Sequence, residues 1–509
     1  MPWLTPKWYQ FLISVFASLG SFMYGYDLGV VAEVVASESF ISKFTLDSVE
    51  SGLVVSMFTT GAFFGALGAG PTSEHLGRRW TIVIGCIVFL MGGGLQTGAR
   101  TLAYLYAGRF FAGFGVGYLT MIVPLYQSEL AHPSIRGRVT ALQQFMLGIG
   151  SLCASWISYG TYVGFAPTNN AQWRVSLGLQ MVPAVFLGLL IFLFPESPRW
   201  LLDHNKPEEG LKVLAKLHAH GDVDDVFVRA QYDQIQDEIT HEHEYAAKTW
   251  SELFTNKPCF RRIILTTSIQ ASIQMTGVSA IQYYSVTIYG QMGINGADTL
   301  KYQAFNNIIA IFAQICCMLT IDHTGRRWTF IVGNLWNCVF FISATIILAK
   351  FPAGTDNSSA HWGFIASTWL YNFSFSWCNG PLSWIIPAEV FDTRTRAKGV
   401  AIATATCYAF NTMIGQVTDT AMTTIRWKFY FLFIVCNFTN AIWFWMVLPE
   451  TAQVPLEEMN YLFEHAPWFI PGINRDDYRP KELQKKVEDQ ERKRSVVQTE
   501  SVGPEKETA

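Results

Sequence analysis

The chain has 509 residues, of which 50% are hydrophobic and 15% aromatic, and a mean hydropathy of +0.23. Charged residues make up 15%, against about 25% in soluble globular domains, and they avoid long stretches of the chain, so the bilayer is the expected solvent. The formal net charge of -3 gives no basis for a nucleic-acid partner.

At the N-terminus, Lys7 precedes an apolar run without a small-residue cleavage site, so a retained first helix is expected rather than a signal peptide. Apolar runs long enough to cross ~30 Å at 1.5 Å per residue then recur. They fall at residues 9–31, 51–70, 80–99, 102–125, 138–162 and 174–194, and again at 262–289, 303–321, 328–349, 362–387, 399–418 and 428–448. The expectation is an all-α membrane protein. Residues 1–195 form one six-helix half, 196–260 a charged helical linker, and 261–449 a second half. Residues 450–509 form a tail, largely disordered after about 480 because it is charge-rich and aromatic-poor.

Arginines mark one side of this array. Arg78, Arg79, Arg136, Arg138, Arg326, Arg327, Arg394 and Arg396 fall in the loops that share a side with the N-terminus. The opposite loops carry single charges such as Lys43, Arg100, Lys301 and Lys350. The positive-inside rule then places both termini in the cytoplasm. The sequon at Asn357 falls outside, as a candidate glycosylation site.

The sequence also repeats itself. Glu74-His75-Leu76-Gly77-Arg78-Arg79-Trp80-Thr81 returns as Asp322-His323-Thr324-Gly325-Arg326-Arg327-Trp328-Thr329. Glu129 and Arg136 return, at the same seven-residue spacing, as Glu389 and Arg396; Pro195-Glu196 returns as Pro449-Glu450. Three echoes in one order imply two parallel halves with a solute site between them. The repeated acids and arginines can pair across helix ends and form a cytoplasmic gate. Topogenic charge alone explains the arginines but not the repeated Gly, His and acids.

Inside the spans, Asp27 and Arg109 sit at comparable depth, and a lone charge there costs ~2.5–3.5 kcal/mol on insertion scales, so the two are expected to pair. Gly61 and Gly65, and Gly113 and Gly117, are spaced to share helix faces and permit close packing. The nine cysteines mostly lie in apolar runs without metal-ligand spacing and read as packing residues. His241 and His243 are two apart and do not share a helix face, so they read as no metal site. No phosphate loop ending in Gly-Lys-Ser/Thr is present, which leaves ATP-driven transport unsupported. No catalytic residue, metal or cofactor is expected.

Together these residues resemble the sugar porter family of the major facilitator superfamily, fungal sugar/proton symporters in particular. The resemblance is carried by Gly25-Tyr26-Asp27, Gly77-Arg78-Arg79, Gly108-Arg109, Pro124-Leu125-Tyr126 with Glu129, and Pro195-Glu196-Ser197-Pro198-Arg199. It continues through Gly325-Arg326-Arg327, Gly380-Pro381 with Trp384, and Pro449-Glu450-Thr451. It implies alternating access, a sugar or polyol as solute, and sugar contacts at Gln144, Gln274, Trp384 and Asn411. Amides supply donor and acceptor, and an indole supplies an apolar face. It also implies proton coupling through Asp27 and Arg109, with a gate that includes Glu74, Glu196, Arg199, Asp322 and Glu450. The partners implied are a small sugar or polyol, protons and membrane lipid, and the plasma membrane is the expected location.

The chain departs from the family at Ile273, at Ser279 in a usual asparagine position, at Ala310 with Asn306 and Asn307 one turn earlier, and at Cys407. Ser279 is kept as a candidate solute contact. These departures leave the solute open and admit a facilitative uniporter, a non-transporting sugar sensor or an exporter of a small natural product.

Overall fold

The computed structural model describes residues 5–35, 37–131, 136–245, 252–290, 293, 297–351, 357–391, 396–451, 462–463 and 467–472. Among these there is no strand, and the helices form twelve spans in two six-helix halves. The first span is Pro6–Ala17 continued by Leu19–Val35. The second to fifth are Ser48–Leu76, Arg78–Thr97, Leu102–Leu130 and Arg136–Gly164; Ala171–Leu179 with Met181–Leu190 makes the sixth. In the other half they are Lys257–Met275 with Val278–Gly290, Ala297–Thr324, Arg327–Lys350, Ser358–Ser374 leading into Gly380–Val390, Arg396–Thr424, and Tyr430–Val447.

Local chemistry sets several of these boundaries. The second span begins with a capping box, in which Asp47 accepts from the Glu50 N–H and Glu50 reaches back to the Asp47 N–H. It ends at Gly77, whose φ of 87° suits a residue with no Cβ. Gly277, at φ 99°, breaks the seventh span in the middle. The tenth span changes pitch through one π turn, Phe375–Asn379. The sequence suggested unbroken helices at both places.

Among the described residues, eight spans are long and apolar enough to cross a membrane by themselves. The other four are the fifth, seventh, tenth and eleventh. These four carry Gln144, Gln274, Trp384 and Asn411, and two of them, the seventh and the tenth, are broken into shorter pieces.

Each half has its own apolar core. The second and fourth spans lie backbone to backbone: a Cβ on Gly113 would meet the Phe58 carbonyl, and one on Gly61 the Phe110 carbonyl. Close approach of this kind is the reason for small residues at those positions.

Between the halves, Pro198–Asp203, Pro207–His218 and Val226–Tyr245 form a small helical layer. Its own core includes Leu214, Ala215 and Val228. Gln10 Nε2 ties it to the first span by donating to the Leu217 carbonyl at 2.8 Å. After the last span, the Ile470 N–H donates to the Met446 carbonyl at 2.9 Å, and Arg261 Nη2 donates to the Pro467 carbonyl at 2.6 Å. The tail expected to be disordered after about 480 lies outside the described residues.

Candidate solute and proton site

The two halves meet along four helix pairings: the second span with the eleventh, the fifth with the eighth, the first with the seventh, and the fifth with the tenth. On the side opposite the arginine loops this junction is held by side chains. Ser56 Oγ donates to Gln416 Oε1 at 2.7 Å, the Thr59 and Thr412 hydroxyls meet at 2.7 Å, and Gln416 Nε2 donates to the Val49 carbonyl at 3.2 Å. Asn307 Nδ2 donates to Ser155 Oγ at 2.7 Å across the fifth and eighth spans. Nearer the middle, the Thr120 hydroxyl meets Tyr408 OH at 3.0 Å.

Asp27 and Arg109 are 0% and 1% exposed. Arg109 Nη1 donates to Asp27 Oδ1 at 2.6 Å, and its Nε donates to the Val54 carbonyl at 2.9 Å. The guanidinium carbon lies 4.5 Å from the Phe58 ring centre. Asp27 Oδ2 and Arg109 Nη2 have no partner. The pairing expected from depth is therefore present, and it is incomplete. Tyr283, from the other half, packs into the same core as the first span and stands near Asp27, Arg109 and Asn411. Its hydroxyl faces Asn411 without a close hydrogen bond.

The candidate solute contacts divide by their partners. Gln144 Oε1 on the fifth span and Asn411 Oδ1 on the eleventh are buried and unpaired. Trp384 is half-buried on Gly380–Val390. Gln274 is different. Its Nε2 donates to Cys407 Sγ at 3.1 Å, and its Oε1 accepts from the Ser279 hydroxyl. Cys407 thus does more than fill space. Asn306 and Asn307, which flank the departure at Ala310, are engaged with Asn372 and with Ser151 and Ser155 respectively. Sequence reasoning missed Tyr283 and Tyr408; the only signal was a polar side chain in an apolar run.

The two arginine motifs build matching networks, each within its own half. Arg78 grips Glu129 with two bonds, Nε to Oε2 at 2.9 Å and Nη2 to Oε1 at 2.7 Å. Glu196 accepts from the backbone N–H groups of Arg78, Arg79 and Ser197 at 3.1, 3.2 and 2.9 Å. In the second half Arg326 Nη2 donates to Glu389 Oε1 at 3.2 Å. Glu450 accepts from the N–H groups of Arg326 and Arg327 at 2.9 and 3.1 Å. Arg79 and Arg327 each donate to the carbonyl of a residue at the end of their half's last span, Phe192 and Trp445.

Burial pushes the Glu196 carboxyl above the usual carboxylate range, against the pull of its three N–H donors and the Arg78 charge. Glu74 is exposed, and its carbonyl accepts from Trp200 Nε1 at 2.8 Å. Arg199 lies on Pro198–Asp203. The side chains of Arg136, Asp322 and Arg396 fall outside the described residues. Asn357 caps Ser358–Ser374, its Oδ1 accepting from the N–H groups of Ser359 and Ala360 at 3.1 and 3.3 Å.

Residues 13–463 match the family model described as "Sugar (and other) transporter". Among curated proteins, the chain is 31% identical to the MFS-type transporter criB of Aspergillus cristatus, over 88% of this chain and 92% of that one. It is 30% identical to the quinate permease of Emericella nidulans, over 91% and 90%. It is also 30% identical to the high-affinity glucose transporter of Kluyveromyces lactis, over 92% and 87%. Among solved structures, the proton:xylose symporter XylE bound to 6-bromo-6-deoxy-D-glucose superposes with a TM-score of 0.76 at 23% identity, covering 89% of this chain and 99% of that one. The partially occluded inward-open form of the E. coli xylose transporter gives 0.72 at 21% identity, covering 87% and 100%. At such identities these two likenesses speak to the fold.

Proposed function

The chain belongs to the sugar porter family of the major facilitator superfamily, an integral membrane transporter and not an enzyme, and from that premise we propose that it couples uptake of a sugar or related polyol to inward movement of protons. The observation that carries this reading is the Asp27–Arg109 pair, buried between the helices with one carboxylate oxygen and one guanidinium nitrogen unpaired. A buried ion pair rarely stabilises more than apolar packing in its place, while breaking one by neutralising a partner costs about 3–5 kcal/mol. Such a pair is well suited to a switch, and intramembrane ionisable residues are commonly functional.

In this mechanism a proton from outside neutralises Asp27. Arg109 keeps the Val54 carbonyl and loses the carboxylate. The first span is then free to move against the seventh, where Tyr283 stands, with Asn411 of the eleventh beside it. Gln144, Asn411 and Trp384 take the solute, with Gln274 and Ser279 beside them. Release of the proton to the cytoplasm restores the pair.

The arginine networks lie on the cytoplasmic side in this reading, as the positive-inside rule requires. Each binds together the helix ends of one half, so that the halves move as units: Arg78, Glu129 and Glu196 in the first, Arg326, Glu389 and Glu450 in the second. Both termini are cytoplasmic, Asn357 faces outward as an acceptor for glycosylation, and the plasma membrane is the site of action.

Asp27→Asn tests the coupling. The variant should still exchange labelled solute down its gradient in counterflow and should no longer concentrate it. Concentrative uptake by Asp27→Asn would remove the coupling role and leave a facilitative carrier or a different proton site. Binding without flux in the wild type would point to a sensor.

A further inference from the structure

Hydrogen-bond partners separate the amides near the junction of the halves into two groups. Gln274 has both ends engaged, with Cys407 and Ser279. Asn306 and Asn307 are held by neighbouring helices, and Gln270 is tied at one end, its Nε2 donating to the Ser383 carbonyl at 2.9 Å while its Oε1 has no partner. Gln144, Asn411 and Gln314 form the other group, each with a buried amide oxygen that has no partner. Native structures rarely leave such atoms unsatisfied unless water or a ligand completes them.

Gln314 is the member to which neither the motifs nor the repeat gives any role. It is 4% exposed, in the middle of the eighth span. It faces the fifth span at Gly148, where its Oε1 and Nε2 lie 2.5 and 3.1 Å from the place a Cβ would occupy. Gly148 follows Gln144 by one helical turn, so both amides border the same stretch of the fifth span, with Gln144 Nε2 3.4 Å from the place a Cβ would occupy at Gly380 of the tenth. An apolar side chain would pack there without the cost of an unsatisfied amide.

We propose that Gln314 contacts the solute alongside Gln144, and that Cys407 and Ser279 hold Gln274 away from it. This rests on the sugar or polyol reading and narrows it. The solute is a cyclic polyol hydroxylated along the edge that meets the fifth and eighth spans. Where it meets Cys407, a weak hydrogen-bonding group, it carries hydrogen or carbon in place of one hydroxyl.

The test is uptake by the full-length chain in a yeast strain without hexose transporters, with D-glucose, its 2-, 3- and 6-deoxy analogues and quinate as probes. Wild type should take up at least one deoxy analogue or quinate as well as D-glucose. Gln314→Leu should raise the half-saturation concentration of each transported probe about tenfold at unchanged surface abundance, and Gln314→Asn should recover part of the loss. Cys407→Ala releases the Gln274 amide and should shift the preference toward D-glucose over the deoxy analogues about tenfold. Wild-type half-saturation in Gln314→Leu overturns the assignment of Gln314. An unchanged preference in Cys407→Ala overturns the withheld amide. If wild type takes up none of the probes, the polyol reading itself fails, and this inference falls with it.

Discussion

Tyr408 of the eleventh span and Thr120 of the fourth join the two halves through a hydroxyl contact of 3.0 Å, with both residues buried. The Tyr408 ring also meets Tyr24 of the first span edge-on at 6.0 Å, one turn before Asp27. A contact across the junction must change whenever the halves rock. Removing it should therefore shift the balance between the two facing states. A neutral hydrogen bond contributes ~0.5–1.5 kcal/mol, so Tyr408→Phe should change the ratio of outward to inward accessibility by roughly three- to tenfold. Labelling of single cysteines placed on the two faces reads that ratio. An unchanged labelling pattern would mean the contact is equally available in both states.

The packing of the second span on the fourth predicts a loss of folding. A side chain at Gly113 would collide with the backbone of Phe58, and one at Gly61 with that of Phe110. Gly113→Val should abolish delivery to the membrane, measured as surface protein. Gly160→Ala, where no atom lies within 4 Å of the new Cβ, should not.

Arg78 and Glu129 are 12% and 8% exposed, and their two bonds satisfy both carboxylate oxygens. Arg78→Leu removes both of these bonds from Glu129. It should destabilise the chain by about 3 kcal/mol. The double variant Arg78→Leu with Glu129→Leu should recover much of the loss in a thermal-unfolding assay in detergent. Equal destabilisation in the single and double variants would show that the ion pair is not the source.

Glu196 gives a pH dependence with a fixed sign. Its folded-state pKa lies above the usual value because burial disfavours the charge. The folded chain then holds this proton more tightly than the unfolded chain, so the group costs stability once ionised and the cost fades as pH falls through the folded pKa. Glu196→Gln has no such charge. Its melting temperature relative to wild type should be higher at about pH 7.5 than at about pH 5. A difference that does not vary with pH would contradict the stated effect of burial.

The twelve spans were legible because each needs a long apolar run, and the two halves because the Gly-Arg-Arg motif repeats in register. Asp27 and Arg109 were legible for the same reason, as charges stranded in apolar sequence. The partners of the amides were not. Whether Gln274 meets a solute or the Cys407 thiol depends on how the seventh span turns against the eleventh, and the break at Gly277 helps set that. Gln314 gave no cue because it stands beside Cys316 and Cys317 in a run that otherwise reads as packing. The π turn at Phe375–Asn379 was likewise invisible, since one extra residue in a helical turn leaves the apolar pattern intact.

Proton movement itself is the most direct measure of the coupling. Proteoliposomes with a pH-sensitive dye trapped inside, starting at equal pH on both sides, should acidify internally when transported solute is added outside. The Asp27→Asn protein should move solute with no change in internal pH. Solute entry without acidification in the wild type, or equal acidification in both proteins, would contradict the account.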